Sequence, residues 1–136
     1  MIITTTSEKE TQRFGQGFVR HLKGGEVIGL IGELGSGKTT FVKGLAKGLG
    51  IKELITSPTF VLLKDYGKLV HIDLYRLKKP SEIKTLGLED YLGRPDKICV
   101  IEWAERIKKY LPKKTKFIEF DFVNEKTRKI KYDFIY

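Results

Sequence analysis

The segment EVIGLIGELGSGKTTFVKGLAKGLG, residues 26–50, limits the possible folds more than any other part of the chain. Its first seven residues, EVIGLIG, form an almost continuous apolar run of strand length. A strand without polar alternation needs cover on both faces, which is the environment of an interior parallel strand. KTTFVKGLAKGLG then sets Phe41, Leu45 and Leu49 at helical spacing, with Gly50 as the stop. Between them, Gly32–Thr39 fits the pattern G-x-x-x-x-G-K-S/T. Glycines let successive backbone N–H groups turn inward toward an anion, and the start of a helix adds unpaired N–H groups and its dipole. In such a loop Lys38 reaches the terminal phosphates of a triphosphate, and the Thr39 hydroxyl takes one position around Mg²⁺.

The remaining segments agree with that beginning. MIITTT reads as a short strand. Ser7 lies three residues before Glu10, a capping-box spacing, and predicts a helix with Phe14, Phe18, Val19 and Leu22 on one face, ended by Gly24-Gly25. SPTFVLLKDY is a loop entering a strand, Gly67-Lys68 a hairpin turn, and LVHIDLYR a second strand. Pro80-Ser81-Glu82 opens a helix that runs to Leu92. KICVIEW is another buried strand, and AERIKKYL a short helix stopped by Pro112. KFIEFDFVNEKTRKIKYDFIY alternates on both sides of NEKT, which predicts an antiparallel hairpin. With no repeat, linker or low-complexity segment, the chain is predicted to be a single domain over 1–136. Its class is α/β: a P-loop NTPase-like three-layer sandwich whose mostly parallel central sheet is extended by antiparallel strands and the C-terminal hairpin. At 136 residues and 40% hydrophobic, the chain can bury a real core.

Other features narrow the setting. The single cysteine, Cys99, sits inside ICVIEW and reads as a buried strand position. No stretch approaches the apolar length of a membrane span, and MIITTTSEKE lacks the pattern of a signal peptide, so a cytoplasmic protein is expected. The net charge is +9. It suits a nucleic-acid partner or a lysine-rich surface poor in Asn and Gln, as reported for proteins from hot environments. The lysines are spread along the chain without an aromatic RNA-binding signature, which favours the second reading.

A triphosphate hydrolase also needs a carboxylate at the end of a neighbouring strand to hold Mg²⁺. LVHID ends in Asp73 and ICVIE ends in Glu102; both are expected at the carboxyl edge of the sheet. Ser57 and Thr59 of SPTF occupy a place where a switch-like segment can sense the γ-phosphate. Period two puts His71, Asp73 and Tyr75 on one face, with Arg76 beyond. His71, Tyr75, Arg76 and Trp103 are candidates for a surface that closes the site or meets a partner, although His71 reads equally as a core histidine. Trp103, the only tryptophan, reads as a packing residue near the site.

Taken together, GELGSGKTTF at 32–41, SPTF at 57–60, HIDLYR at 71–76 and IEW at 101–103 followed by AER resemble the TsaE (YjeE) family in order and spacing. These are small P-loop ATPases of bacterial tRNA threonylcarbamoyladenosine synthesis. The resemblance spans the whole chain, and HIDLYR is its specific element. It implies binding of ATP and Mg²⁺ and weak hydrolysis by the protein alone. It also implies action with a threonylcarbamoyl transferase subunit and its inactive paralogue, of the TsaD and TsaB type. Together these modify adenosine 37 of tRNAs reading codons that begin with A, the ATPase activating or resetting the complex, with tRNA met through that complex. By the same resemblance, Leu34, Gly35, Ser36, Gly37, Lys38, Thr39 and Thr40 surround the nucleotide. Thr39 and Glu102 are the expected metal contacts, with Asp73 at the aspartate linked to metal or water activation. Lys38, Asp73 and Glu102 are the expected catalytic residues. Glu8 and Arg128 are candidates from the two segments that flank the nucleotide. Glu33 and Ser36 stand where many relatives carry Asp and Ala, both at variable positions of the pattern.

The alternatives fit less well. A kinase of a small metabolite or nucleotide calls for an arginine-rich lid, and the chain has few arginines. A guanine-nucleotide switch calls for an N-K-x-D element, which NEKT at 124–127 does not supply. A non-enzymatic RNA-binding domain leaves the phosphate loop and both strand-end carboxylates unexplained.

Overall fold

The structure, a computed structural model, describes residues 1–56 and 63–133. A single seven-stranded sheet runs through it. The strands are β1 (Ile2–Thr5), β2 (Val27–Gly32), β3 (Leu63–Asp65), β4 (Leu69–Asp73), β5 (Ile98–Glu102), β6 (Lys116–Phe122) and β7 (Arg128–Lys131). Their order is β1-β7-β6-β2-β5-β4-β3. β6, β2, β5 and β4 are parallel, and the pairs at both margins are antiparallel. This is the expected mostly parallel sheet with antiparallel extensions. EVIGLIG is central because it has two strand neighbours and no polar face: Ile28 and Leu30 are fully buried.

The strands sort their side chains by period two. On one face lie Ile28, Leu30, Leu69, Ile98, Val100, Ile118 and Phe120, packed against the helices α1 (Glu8–Phe18) and α2 (Lys38–Gly48). On the other, Val70, Ile72, Cys99 and Ile101 pack against 3₁₀ segments at Pro80–Leu86, Leu88–Asp90 and Ala104–Tyr110. Cys99 is buried, as expected of a strand position. Phe41 of α2 ties the helical layer together, with Phe14, Phe18 and Phe120 rings 5.6–5.7 Å away. The two helices approach closely enough that a Cβ on Gly44 would stand 2.0 Å from the Gln12 carbonyl oxygen, and one on Gly15 2.4 Å from that of Phe41. Only glycine permits this approach.

Local signals explain most boundaries. The Glu10 N–H donates to Ser7 Oγ at 3.1 Å, the forward half of the capping box. The return half goes one residue earlier, with Glu10 accepting from the Thr6 amide and hydroxyl. α1 tightens into a 3₁₀ turn at Val19–His21 and stops before Gly24-Gly25. The Gly67 turn forms, its N–H donating to Asp65 Oδ1 at 2.8 Å, and Asn124 Oδ1 closes the C-terminal hairpin through the Lys126 and Thr127 amides.

Two predicted α-helices are instead 3₁₀. The segment from Pro80 breaks at Gly87, whose φ of 68° is left-handed. The segment after Trp103 is two short 3₁₀ turns broken at Ile107, whose φ of −130° is not helical, with Ala104 and Ile107 buried. β1 closes the sheet margin against β7, a pairing the sequence did not suggest. No helix among the described residues is long and apolar enough to cross a membrane.

Candidate functional site

Three parallel strands end side by side at the same edge: β2 at Gly32, β5 at Glu102 and β4 at Asp73. On the face that carries α1 and α2, their apolar columns turn polar at the last residues. Leu69 is followed at period two by His71 and Asp73, and Ile98 and Val100 by Glu102. Asp73 and Glu102 are partners in the β4–β5 register. The loop from Gly32 leads into α2 directly above them. Its turn depends on Gly37, which caps α2 at φ 104°.

The result is a cavity of about 430 Å³. It is lined by the loop and first turn of α2, Leu34 to Thr40, and by Asp73, Glu102 and Trp103, with Tyr75 and Arg76. Glu8 at the start of α1 and Arg128 at the start of β7 also line it. The structure thus gathers these sequence candidates into one space, from segments more than a hundred residues apart. Leu34 is 70% exposed and projects from the loop. Ser57 and Thr59 lie outside the described residues. His71 is the exception: it is fully buried and cannot form a partner-facing surface.

Lys38 is nearly buried. Its Nζ donates to the carbonyls of Gly32 and Glu33 and stands 3.9 Å from the centre of the Trp103 ring. Burial lowers its pKa, opposed by the carboxylates of Glu102, Glu105, Asp73 and Glu33. Thr39 Oγ1 donates to Glu102 Oε1 at 2.9 Å, and the other carboxylate oxygen, Oε2, lies 2.6 Å from His71 Nε2. Asp73 Oδ1 accepts from the Tyr75 amide at 3.0 Å. Burial raises the Asp73 carboxyl above its ordinary value, and nearby Glu102 adds to this. Trp103 is the one non-glycine residue with positive φ among those described, at 62°.

Several lining residues escaped the sequence reading. Thr11, on α1, is buried and shares a 2.6 Å hydroxyl contact with Thr5. Ser7, Glu125 and Lys126 complete the rim. Arg106 matters more: its Nη1 donates to the carbonyls of Leu74, Tyr75 and Leu77, and its guanidinium lies 5.3 Å from the Trp103 ring. It holds the turn that carries Tyr75 and Arg76. The AER that follows IEW marked the residue, but nothing in sequence reveals three converging carbonyls.

The donor set fits a bound anion and a hard cation. Ser36 Oγ is buried without a hydrogen-bond partner among the described residues, and an added Cβ at Gly35 would meet nothing within 4 Å. No group of three or more His, Cys, Asp or Glu among the described residues is placed to hold a metal by itself. Mg²⁺ does not need one, since it binds through one or two protein oxygens together with substrate phosphates and water.

Comparison with known proteins gives a consistent result. A family model described as "Threonylcarbamoyl adenosine biosynthesis protein TsaE" matches residues 5–130. The "tRNA threonylcarbamoyladenosine biosynthesis protein TsaE" of Treponema pallidum is 42% identical over 133 residues, spanning 96% of this chain and 98% of its own. The protein of that name from Bacillus subtilis is 41% identical over 112 residues, 79% of this chain and 69% of its own. That from Aquifex aeolicus is 39% identical over 131 residues, 92% and 90%. The crystal structure of Bacillus subtilis YdiB superposes with a TM-score of 0.81 at 32% identity, covering 97% of this chain and 83% of that one.

Proposed function

The chain belongs to the TsaE family and so to tRNA threonylcarbamoyladenosine biosynthesis, and from that premise we propose that it is a Mg²⁺-dependent ATPase. In this reading it hydrolyses ATP slowly alone. It activates or resets a complex of the threonylcarbamoyl transferase subunit and its inactive paralogue, which modifies adenosine 37 of tRNA. The observation that carries the proposal is the Thr39–Glu102 contact of 2.9 Å beside a buried lysine, at the floor of a phosphate-loop cavity.

Each residue then has a task. The loop amides between Leu34 and Thr39 take the phosphate oxygens, and Ser36 Oγ gains the partner it lacks. Lys38 leaves the Gly32 and Glu33 carbonyls for the phosphates, where its charge offsets the charge that develops during transfer. Thr39 and Glu102 hold Mg²⁺, which when bound neutralises phosphate charge and aligns the terminal group. Asp73 has one oxygen taken by the Tyr75 amide, and its second orients the attacking water. A raised pKa suits a group that must accept a proton.

Lys38→Ala and Thr39→Ala test the assignment. Both variants are expected to fold, because the lysine and hydroxyl act on the ligand and not on the core. Lys38→Ala is expected to lose turnover by at least about a hundredfold. Thr39→Ala is expected to weaken the Mg²⁺ dependence of ATP binding. Normal turnover in Lys38→Ala would remove the assignment of the loop. The kinase reading would gain if ADP formed only when a small acceptor was supplied, with the phosphoryl group recovered on that acceptor.

A further inference from the structure

His71 of HIDLYR has no task in the proposed chemistry. It is also the most buried polar side chain near the site, with 0% exposure. It lies on the same strand face as Asp73, two residues deeper, and its Nε2 meets Glu102 Oε2 at 2.6 Å. A carboxylate only accepts, so the ring hydrogen is on Nε2. Nδ1 has no hydrogen-bond partner among the described residues. A bare lone pair there costs less than an N–H with nowhere to go. The ring therefore makes one directed bond, and it makes it to Glu102.

That bond has a geometric consequence. Glu102 is 3% exposed, so protein groups largely set the orientation of its carboxylate. With Oε2 fixed by His71, Oε1 faces Thr39 Oγ1 at 2.9 Å. We propose that His71 is a positioning residue that turns the Glu102 carboxylate so that Oε1 and Thr39 Oγ1 together present a ready pair of oxygens to Mg²⁺. This rests on the proposed nucleotide site. Outer groups of this kind fix ligand orientation, and losing them typically costs about tenfold to a hundredfold in metal affinity or activity. The imidazole meets two demands, since it must reach Oε2 and also fill a closed space in the sheet layer.

The test compares His71→Leu and His71→Gln with the wild-type chain. The single tryptophan, Trp103, borders the cavity, and its fluorescence serves as the readout of nucleotide binding. ATP is titrated in EDTA, and then Mg²⁺ is titrated at fixed ATP. Leu fills the space without a donor, and Gln restores one. His71→Leu is expected to bind ATP in EDTA as the wild type does, but to need about tenfold more Mg²⁺. His71→Gln is expected to recover most of that loss. Should the Leu variant fail to fold, His71→Asn, too short to reach Oε2, takes its place in the comparison. A Mg²⁺ titration in His71→Leu or His71→Asn that matches wild type would overturn the proposal alone. So would a Gln variant as impaired as the Leu. A wild-type chain that shows no saturable ATP response would instead remove the nucleotide site, and this proposal with it.

Discussion

Asp73 has lost most of its water, at 8% exposure, and burial holds its carboxyl above the usual carboxylate range. The folded chain therefore binds this proton more tightly than the unfolded chain does. Between the ordinary aspartate pKa and the raised one, stability falls as pH rises, and above that window the full cost persists. Asp73→Asn removes the charge and keeps an oxygen for the Tyr75 amide. It is expected to raise stability at pH 7.5 by about 1 kcal/mol, with a smaller advantage near pH 4, while ATP turnover falls. Denaturant unfolding at the two pH values, beside a turnover assay, checks both halves. A variant less stable than wild type at pH 7.5 would show that the carboxylate serves the fold. The site residues visible in sequence were those with a strong positional rule. Lys38 and Thr39 follow the loop pattern, and Asp73 and Glu102 each end an apolar run. Arg106 was not visible as a functional residue, because its role depends on three carbonyls gathered by a turn. Sequence does not fix the burial of His71, since period two gives a face but not a neighbour.

At the scale of elements, the loop is held in place by a helix packing that glycine alone allows. α1 and α2 cross where Gly15 and Gly44 remove side chains from the contact, and α2 begins at the phosphate loop. Gly44→Ala places a Cβ against the Gln12 carbonyl and forces the helices apart. It is expected to cost about 2 kcal/mol in denaturant unfolding and to weaken ATP binding. Unchanged stability would mean that the helices separate without strain. The helical period marked α1 and α2 because each buries a broad apolar face. It overstated the segments from Pro80 and Ala104, where few buried positions and the left-handed Gly87 favour 3₁₀ turns. β1 was legible as a strand but not as the partner of β7. Its register, Ile2 opposite Lys131, joins residues at opposite ends of the chain, and local pattern carries no information about such a pairing.

Across the whole molecule, the sheet places a phosphate loop, two carboxylates and a lysine at one edge, and leaves the cavity open at its rim. Much of the positive charge near that edge is engaged by backbone carbonyls, while Arg76 and Lys126 also line the cavity. Arg106 is committed to three backbone carbonyls, and Arg128 to those of Asn124 and Thr127. Lys38 is itself held by carbonyls and by the Trp103 ring. In the proposed reading, a partner seated at the open rim completes the site. The most direct measurement is ATP turnover by the purified chain, alone and with saturating transferase subunit and its inactive paralogue, with Lys38→Ala as control. The account expects slow turnover alone, a rise of roughly tenfold or more with the pair, and none in the variant. Turnover that is indifferent to the pair would contradict it.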